Sequence, residues 1–175
     1  MSGALRGAFA TLITLAAFGT GVANAAEIRL SLAPKISLPK DSPAYSEDTV
    51  DFYGTNMALL TSGLLRTRAE AQLHQTVPAS LRIQATRIAN TSIISLTTSG
   101  GDESLANGVL AAVVDQFLRF KREQKAKYYR DAINAVDAAL SYVPAEYAKH
   151  LEDYKERLVI ASILDTKPAF EKIDY

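Results

Sequence analysis

At 175 residues the chain is long enough to bury a core without covalent staples, and it contains no cysteine, which excludes disulfides and thiolate metal sites. Its 19 basic and 19 acidic residues cancel, so bulk electrostatics provides no attraction to nucleic acid and none to an acidic surface. No internal repeat or low-complexity stretch interrupts it.

Residues 1–25 read as a targeting segment. Arg6 supplies a positive start, Ala8 to Phe18 an apolar stretch, and Ala23-Asn24-Ala25 an A-x-A cleavage pattern. The same segment also reads as an uncleaved anchor, because Gly7 to Ala26 carries no charge and is about as long as a membrane-spanning helix. Either reading makes the chain an exported one, periplasmic or anchored in the inner membrane and facing the periplasm. Residues 26–175 then form a single α+β domain.

In Glu27 to Ala33 apolar residues alternate, with Ile28, Leu30 and Leu32 on one face, the period of a half-buried strand. Pro34, Pro39 and Pro43 space a polar loop, and Ser46-Glu47-Asp48 offers caps for a helix running to about His74, with Val50, Tyr53, Met57, Leu60 and Leu64 as its apolar stripe. A second strand spans Ser80 to Ala89, with Leu81, Ile83 and Ala85 facing one way and Arg82, Gln84 and Thr86 the other. A short connection leads to Thr91–Thr98, where β-branched residues dominate, so these two strands pair antiparallel.

Ser99-Gly100-Gly101 ends that strand, and Asp102 caps a long helix whose first turn carries Glu103. Ala106, Val109, Leu110, Val113, Phe117 and Phe120 recur at helical steps and face the sheet. Beyond Phe120 the stripe stops. Six Lys or Arg residues and one Glu fill Arg119 to Arg130, so the helix leaves the packed body as a projecting extension over about residues 121–157. Val143-Pro144 interrupts it, a charged helix follows to about Arg157, and Leu158 to Leu164 reads as a last apolar strand. The resulting order is that of a ferredoxin-like split βαββαβ fold: a mixed four-stranded sheet, two helices on one face and the short helical extension.

The run Asn90-Thr91-Ser92-Ile93-Ile94, the acidic turn Gly101-Asp102-Glu103, then Leu105-Ala106-Asn107 and a helix ending Phe117-Leu118-Arg119-Phe120-Lys121 resembles the periplasmic domain of the polysaccharide co-polymerases, the Wzz-type chain-length determinants. The likeness covers roughly residues 8–168. It departs at Glu103, where the family carries proline, in the shortness of the projecting helices, and in the lack of a second transmembrane helix after the last strand. The resemblance implies a non-enzymatic oligomeric regulator of exported polysaccharide chain length or assembly. Its partners would be other copies of itself and a polysaccharide polymerase or glycan, with no nucleic acid and no cofactor.

Arg119, Arg122, Lys125 and Arg130 are the candidate interface residues, because clustered cations attract acidic partners. The competing account is a solvated face balanced by Glu146, Glu152, Asp153 and Glu156 on the next helix. The alternative function is a secreted or periplasmic module that holds a polymer or a protein on its sheet or basic helix. Catalysis finds no constellation: His74 ends a helix, His150 lies among charges, and neither a G-x-S-x-G elbow nor a phosphate loop occurs.

Overall fold

The computed structural model describes residues 13–15, 26–35, 43–47 and 49–166. The reading of 1–25 as signal peptide or anchor therefore lies outside the described residues except at Ile13–Leu15, a three-residue strand, β1. No helix among the described residues is long and apolar enough to cross a membrane.

Strand β2 (Glu27–Ser31), helices α1 (Phe52–Leu60) and α2 (Gly63–Leu73), strands β3 (Arg82–Arg87) and β4 (Ile93–Ser99), and helices α3 (Glu103–Leu140) and α4 (Ala145–Thr166) follow in chain order. The ferredoxin-like expectation is overturned. The described residues are mostly helical, their three full strands are all antiparallel in the order β2-β4-β3, and β1 adds only three residues at the edge of β2. The missing strand is Leu158–Leu164, which lies within α4. No breaker separates Arg157 from Leu158, so the helix that starts after Pro144 propagates through the apolar run. Leu158, Ala161 and Asp165 then share one helical face instead of alternating.

The chain divides into two compact units, residues 1–33, 50–118 and 169–175 in the first and residues 34–49 and 119–168 in the second. In the first unit the period-2 pattern sets which sheet face is covered. Ile28 pairs with Leu96 and Leu30 with Ile94 across β2 and β4, and all four are buried. The opposite face is polar: the Arg29 guanidinium donates to Glu27 Oε1 at 2.7 Å, and the Ser95 hydroxyl donates to the same oxygen at 2.8 Å. These two hydrogen bonds, the one from Arg29 first, hold the Glu27 carboxyl below its ordinary value.

The expected single helix from Ser46 to His74 is two helices. Asp51 caps α1, and the Thr61 hydroxyl turns back to Met57 O and Ala58 O. Ser62 then caps α2 by accepting from Leu65 N at 3.3 Å. The break rotates the buried stripe, so Phe52, Asn56 and Leu60 face inward on α1 and Leu65 and Ala69 on α2, while Val50 and Leu64 are exposed. Arg66 stitches α2 to the turn before β3, donating to Leu81 O, Val77 O and Pro78 O.

Gly100 and Gly101 make the turn into α3 with φ of +82° and +88°, and a Cβ on Gly100 would lie 2.5 Å from Ser80 O. Glycine is required there by both conformation and space. Asp102 Oδ2 accepts from Leu105 N at 3.1 Å, the expected cap. Ala106, Val109, Leu110, Val113 and Phe117 are all fully buried, whereas Phe120 is only partly so.

Candidate functional site

The second unit holds the residues on which the sequence reading centred. From Arg119 onward α3 packs against α4 through a small core of Tyr129, Val136 and Leu158, flanked by Ile133, Leu140, Leu151 and Ala161. Two carbonyl-directed bonds, from Tyr147 N and Ala148 N to Pro144 O, start α4. On their exposed sides Lys155 Nζ of α4 pairs with Asp137 Oδ1 of α3 at 2.5 Å.

Of the four candidate interface residues, Arg119, Arg122 and Arg130 are exposed and recur at helical steps along one flank of α3. None of the three forms an ion pair among the described residues. The acids expected to balance them, Glu146, Glu152, Asp153 and Glu156, are exposed on α4 and pair with none of them. The cations are therefore not neutralised by the neighbouring helix of their own unit.

Lys125 is placed differently. It lies one turn before Tyr129 on the packed side of α3 and is half-buried. Around it a cluster is built from three segments, the loop carrying Lys35, Tyr45 and Glu47, the middle of α3, and the end of α4. Glu47 N donates to Lys35 O at 2.8 Å and Lys35 N donates to Glu47 Oε2 at 3.0 Å, which closes the loop on itself. Lys121 forms an ion pair with Glu47 Oε1. That oxygen is buried, and Lys121 is the cation that meets it. Tyr129 is the hub. Its hydroxyl accepts from Tyr45 N at 2.8 Å and donates to Asp165 Oδ2, and Lys35 pairs with Asp165 Oδ1.

The rings of Tyr45, Tyr128 and Tyr129 meet edge to face, with centroids 5.4 Å apart for Tyr45 and Tyr128 and 5.2 Å for Tyr128 and Tyr129. Lys125 Nζ stands 5.9 Å from the Tyr45 ring centroid, a cation over an aromatic face. Burial pushes the Lys35 and Lys125 ammonium groups below the usual lysine value; at Lys35 the Lys125 ammonium adds to this and Glu47 opposes it, while at Lys125 Glu47 opposes it and Lys121 adds to it less strongly. Burial likewise pushes the Tyr45 and Tyr129 hydroxyls up.

Sequence reasoning found Lys125 but not Lys35, Tyr45, Glu47 or Asp165, because these lie far from it along the chain. The five tyrosines of residues 128–154 divide: Tyr129 is buried, Tyr128 packs on Tyr45 and Tyr129 with part of its ring open, and Tyr142, Tyr147 and Tyr154 are exposed. His74 ends α2 with φ of +52°, His150 is exposed on α4, and among the described residues no three His, Asp or Glu side chains could hold a metal ion together. Compared with protein-family models, curated proteins and solved structures, the chain matches none.

Proposed function

We propose that the chain is a non-enzymatic, oligomeric regulator of the length or assembly of an exported polysaccharide, and that it assembles through its paired helices α3 and α4. The observation that carries this reading is the pair of unmatched faces on the second unit. On α4, Val159, Ile160, Ile163 and Leu164 are exposed, on the side opposite Leu158, and Glu152 and Glu156 continue the same stripe towards the start of the helix. On α3, Arg119, Arg122 and Arg130 form a cationic flank. An apolar stripe with an acidic end and a basic flank on the same unit complement each other between copies, head to tail, which is the contact that generates rings or filaments. The sequence resemblance to the co-polymerases supports the polysaccharide part of the reading, and the reading of residues 1–25 as a signal peptide or anchor supports its location.

The test is the molar mass of the purified chain by light scattering, alongside the glycan length distribution on a gel. The chain should be oligomeric. Reversing Arg119 and Arg130 to Glu should weaken assembly by an amount on the order of several kcal/mol, since like charges then face each other. Adding Glu152→Arg and Glu156→Arg should restore it. A wild-type chain that remains monomeric at high concentration sinks the proposal. The alternative, a module that holds a polymer or a protein, is favoured by one specific observation, the half-buried Lys125.

A further inference from the structure

The described chain holds three lysines around two carboxylates in the second unit, and both carboxylates are already engaged. Glu47 is taken by Lys121 and by the Lys35 backbone N–H, and Asp165 by Lys35 and the Tyr129 hydroxyl. Lys125 is left with the face of Tyr45 and no ion pair among the described residues. The Glu47 carboxylate offsets part of the ammonium crowding at Lys125, but it is already paired with Lys121, so three ammonium groups share two carboxylates and the cluster keeps a net positive charge that an added anion balances. One turn after Lys125 on α3 the ring of Tyr128 is 39% exposed and held edge-on by Tyr45 and Tyr129, which leaves part of an apolar ring open to a ligand.

We propose that Lys125, flanked by the ammonium groups of Lys35 and Lys121 and by the open ring of Tyr128, binds the carboxylate-bearing unit of an acidic saccharide. The carboxylate completes the charge balance at Lys125, and the C–H face of the sugar lies against Tyr128. A lone flexible ammonium suits a single carboxylate oxygen, and the cations that engage Glu47 and Asp165 are lysines rather than arginines, whose forked donors match phosphate in pairs of hydrogen bonds. This inference rests on the assembly reading only for its choice of a saccharide. Lys125 and Tyr128 lie outside the α3 flank and the α4 stripe proposed to meet between copies.

Isothermal titration of the purified full chain with an oligogalacturonate, with an uncharged malto-oligosaccharide of equal length and with inorganic phosphate tests it. The oligogalacturonate should bind, more weakly as salt is raised, and the uncharged sugar should not. Lys125→Gln should lower affinity by about tenfold or more, the loss of one charge-assisted contact. Lys127→Gln, which removes an exposed lysine paired with Asp131, should leave affinity unchanged. Tyr128→Ala should weaken binding as well; because its ring packs edge to face on Tyr45 and Tyr129, the melting midpoint is measured beside the binding, and this variant decides the matter if Lys125→Gln melts early. No binding, binding that survives both Lys125→Gln and Tyr128→Ala, or equal binding of phosphate or of the uncharged sugar overturns the proposal. Light scattering of Lys125→Gln should show the wild-type mass, so a failure here is distinguishable from a failure of assembly.

Discussion

The two units of this chain are held together by different means. The first is joined by apolar burial: Leu30, Leu60, Leu65, Leu81, Leu96, Leu110, Val113 and Phe117 have essentially no exposed surface, and the polar bonds around them cap helices and close turns. The second has, among the described residues, a small buried core of Tyr129, Val136 and Leu158. It depends on a polar web of Lys35, Tyr45, Glu47, Lys121, Tyr129 and Asp165 to hold a loop against two helices. Apolar burial is non-directional and tolerates small shifts, while a polar web has value only if every member is satisfied. The difference teaches where function can reside. A satisfied apolar core offers no chemistry to a partner, but a web with one cation left over does.

Breaking the apolar unit should have the largest effect. Val113→Asp places an unpaired carboxylate in the fully buried stripe of α3, at a cost of several kcal/mol, comparable with the whole stability of a small domain. Thermal melting followed by circular dichroism should show the transition lost or strongly lowered. A midpoint equal to that of the wild type would mean that the stripe is not the core.

The polar unit should break more gently. Tyr129→Phe keeps the ring in its core and deletes the hydroxyl that serves both Tyr45 N and Asp165, leaving a donor without its acceptor at about 1–3 kcal/mol. Hydrogen exchange should find the Tyr45 amide less protected, while amides of β4 keep their rates. Equal protection of the Tyr45 amide in both proteins would remove Tyr129 from its place as hub.

The smallest effect separates the sheet's polar face from its core. The folded Glu27 carboxyl titrates below its unfolded value of 4.5, first through Arg29 and then through Ser95. Its contribution is therefore fully present above pH 4.5 and is lost as pH falls through the lower folded value. Arg29 is substantially exposed, so the contribution is only about 0.5 kcal/mol after solvent screening. Melting midpoints of the wild type and Glu27→Gln should differ slightly at pH 7 and converge as pH falls below the folded value. A difference that persists in acid would assign the effect to packing instead.

Much of the first unit was legible beforehand. The alternation Ile28, Leu30 against Glu27, Arg29 marks β2, the same period marks β3, and Asp102 with Ala106, Val109, Leu110 and Val113 marks the start and the buried face of α3. These signals are local, each depending on residues within a few positions of one another. The break between α1 and α2 was also written locally, in Thr61-Ser62-Gly63, but a continuous apolar count across it obscured the cap. Of the polar cluster only Lys125 was visible, since charge alone cannot tell a solvated lysine from one held beside Tyr45.

The sequence by itself determined where strands alternate, where Gly100 and Gly101 must turn and where α3 begins, because backbone sterics, capping and periodicity act over a few residues. Only the tertiary structure decided that Leu158–Leu164 is helix. An apolar run of that length has no period of its own, and its state follows from the uninterrupted helix before it and from the partners that Leu158 and Asp165 find at Val136 and Tyr129. Tertiary structure likewise decided which cations are free. Arg119, Arg122 and Arg130 face outward and Lys125 inward, because the buried side of α3 is set by where α4 and the loop of Tyr45 come to rest upon it.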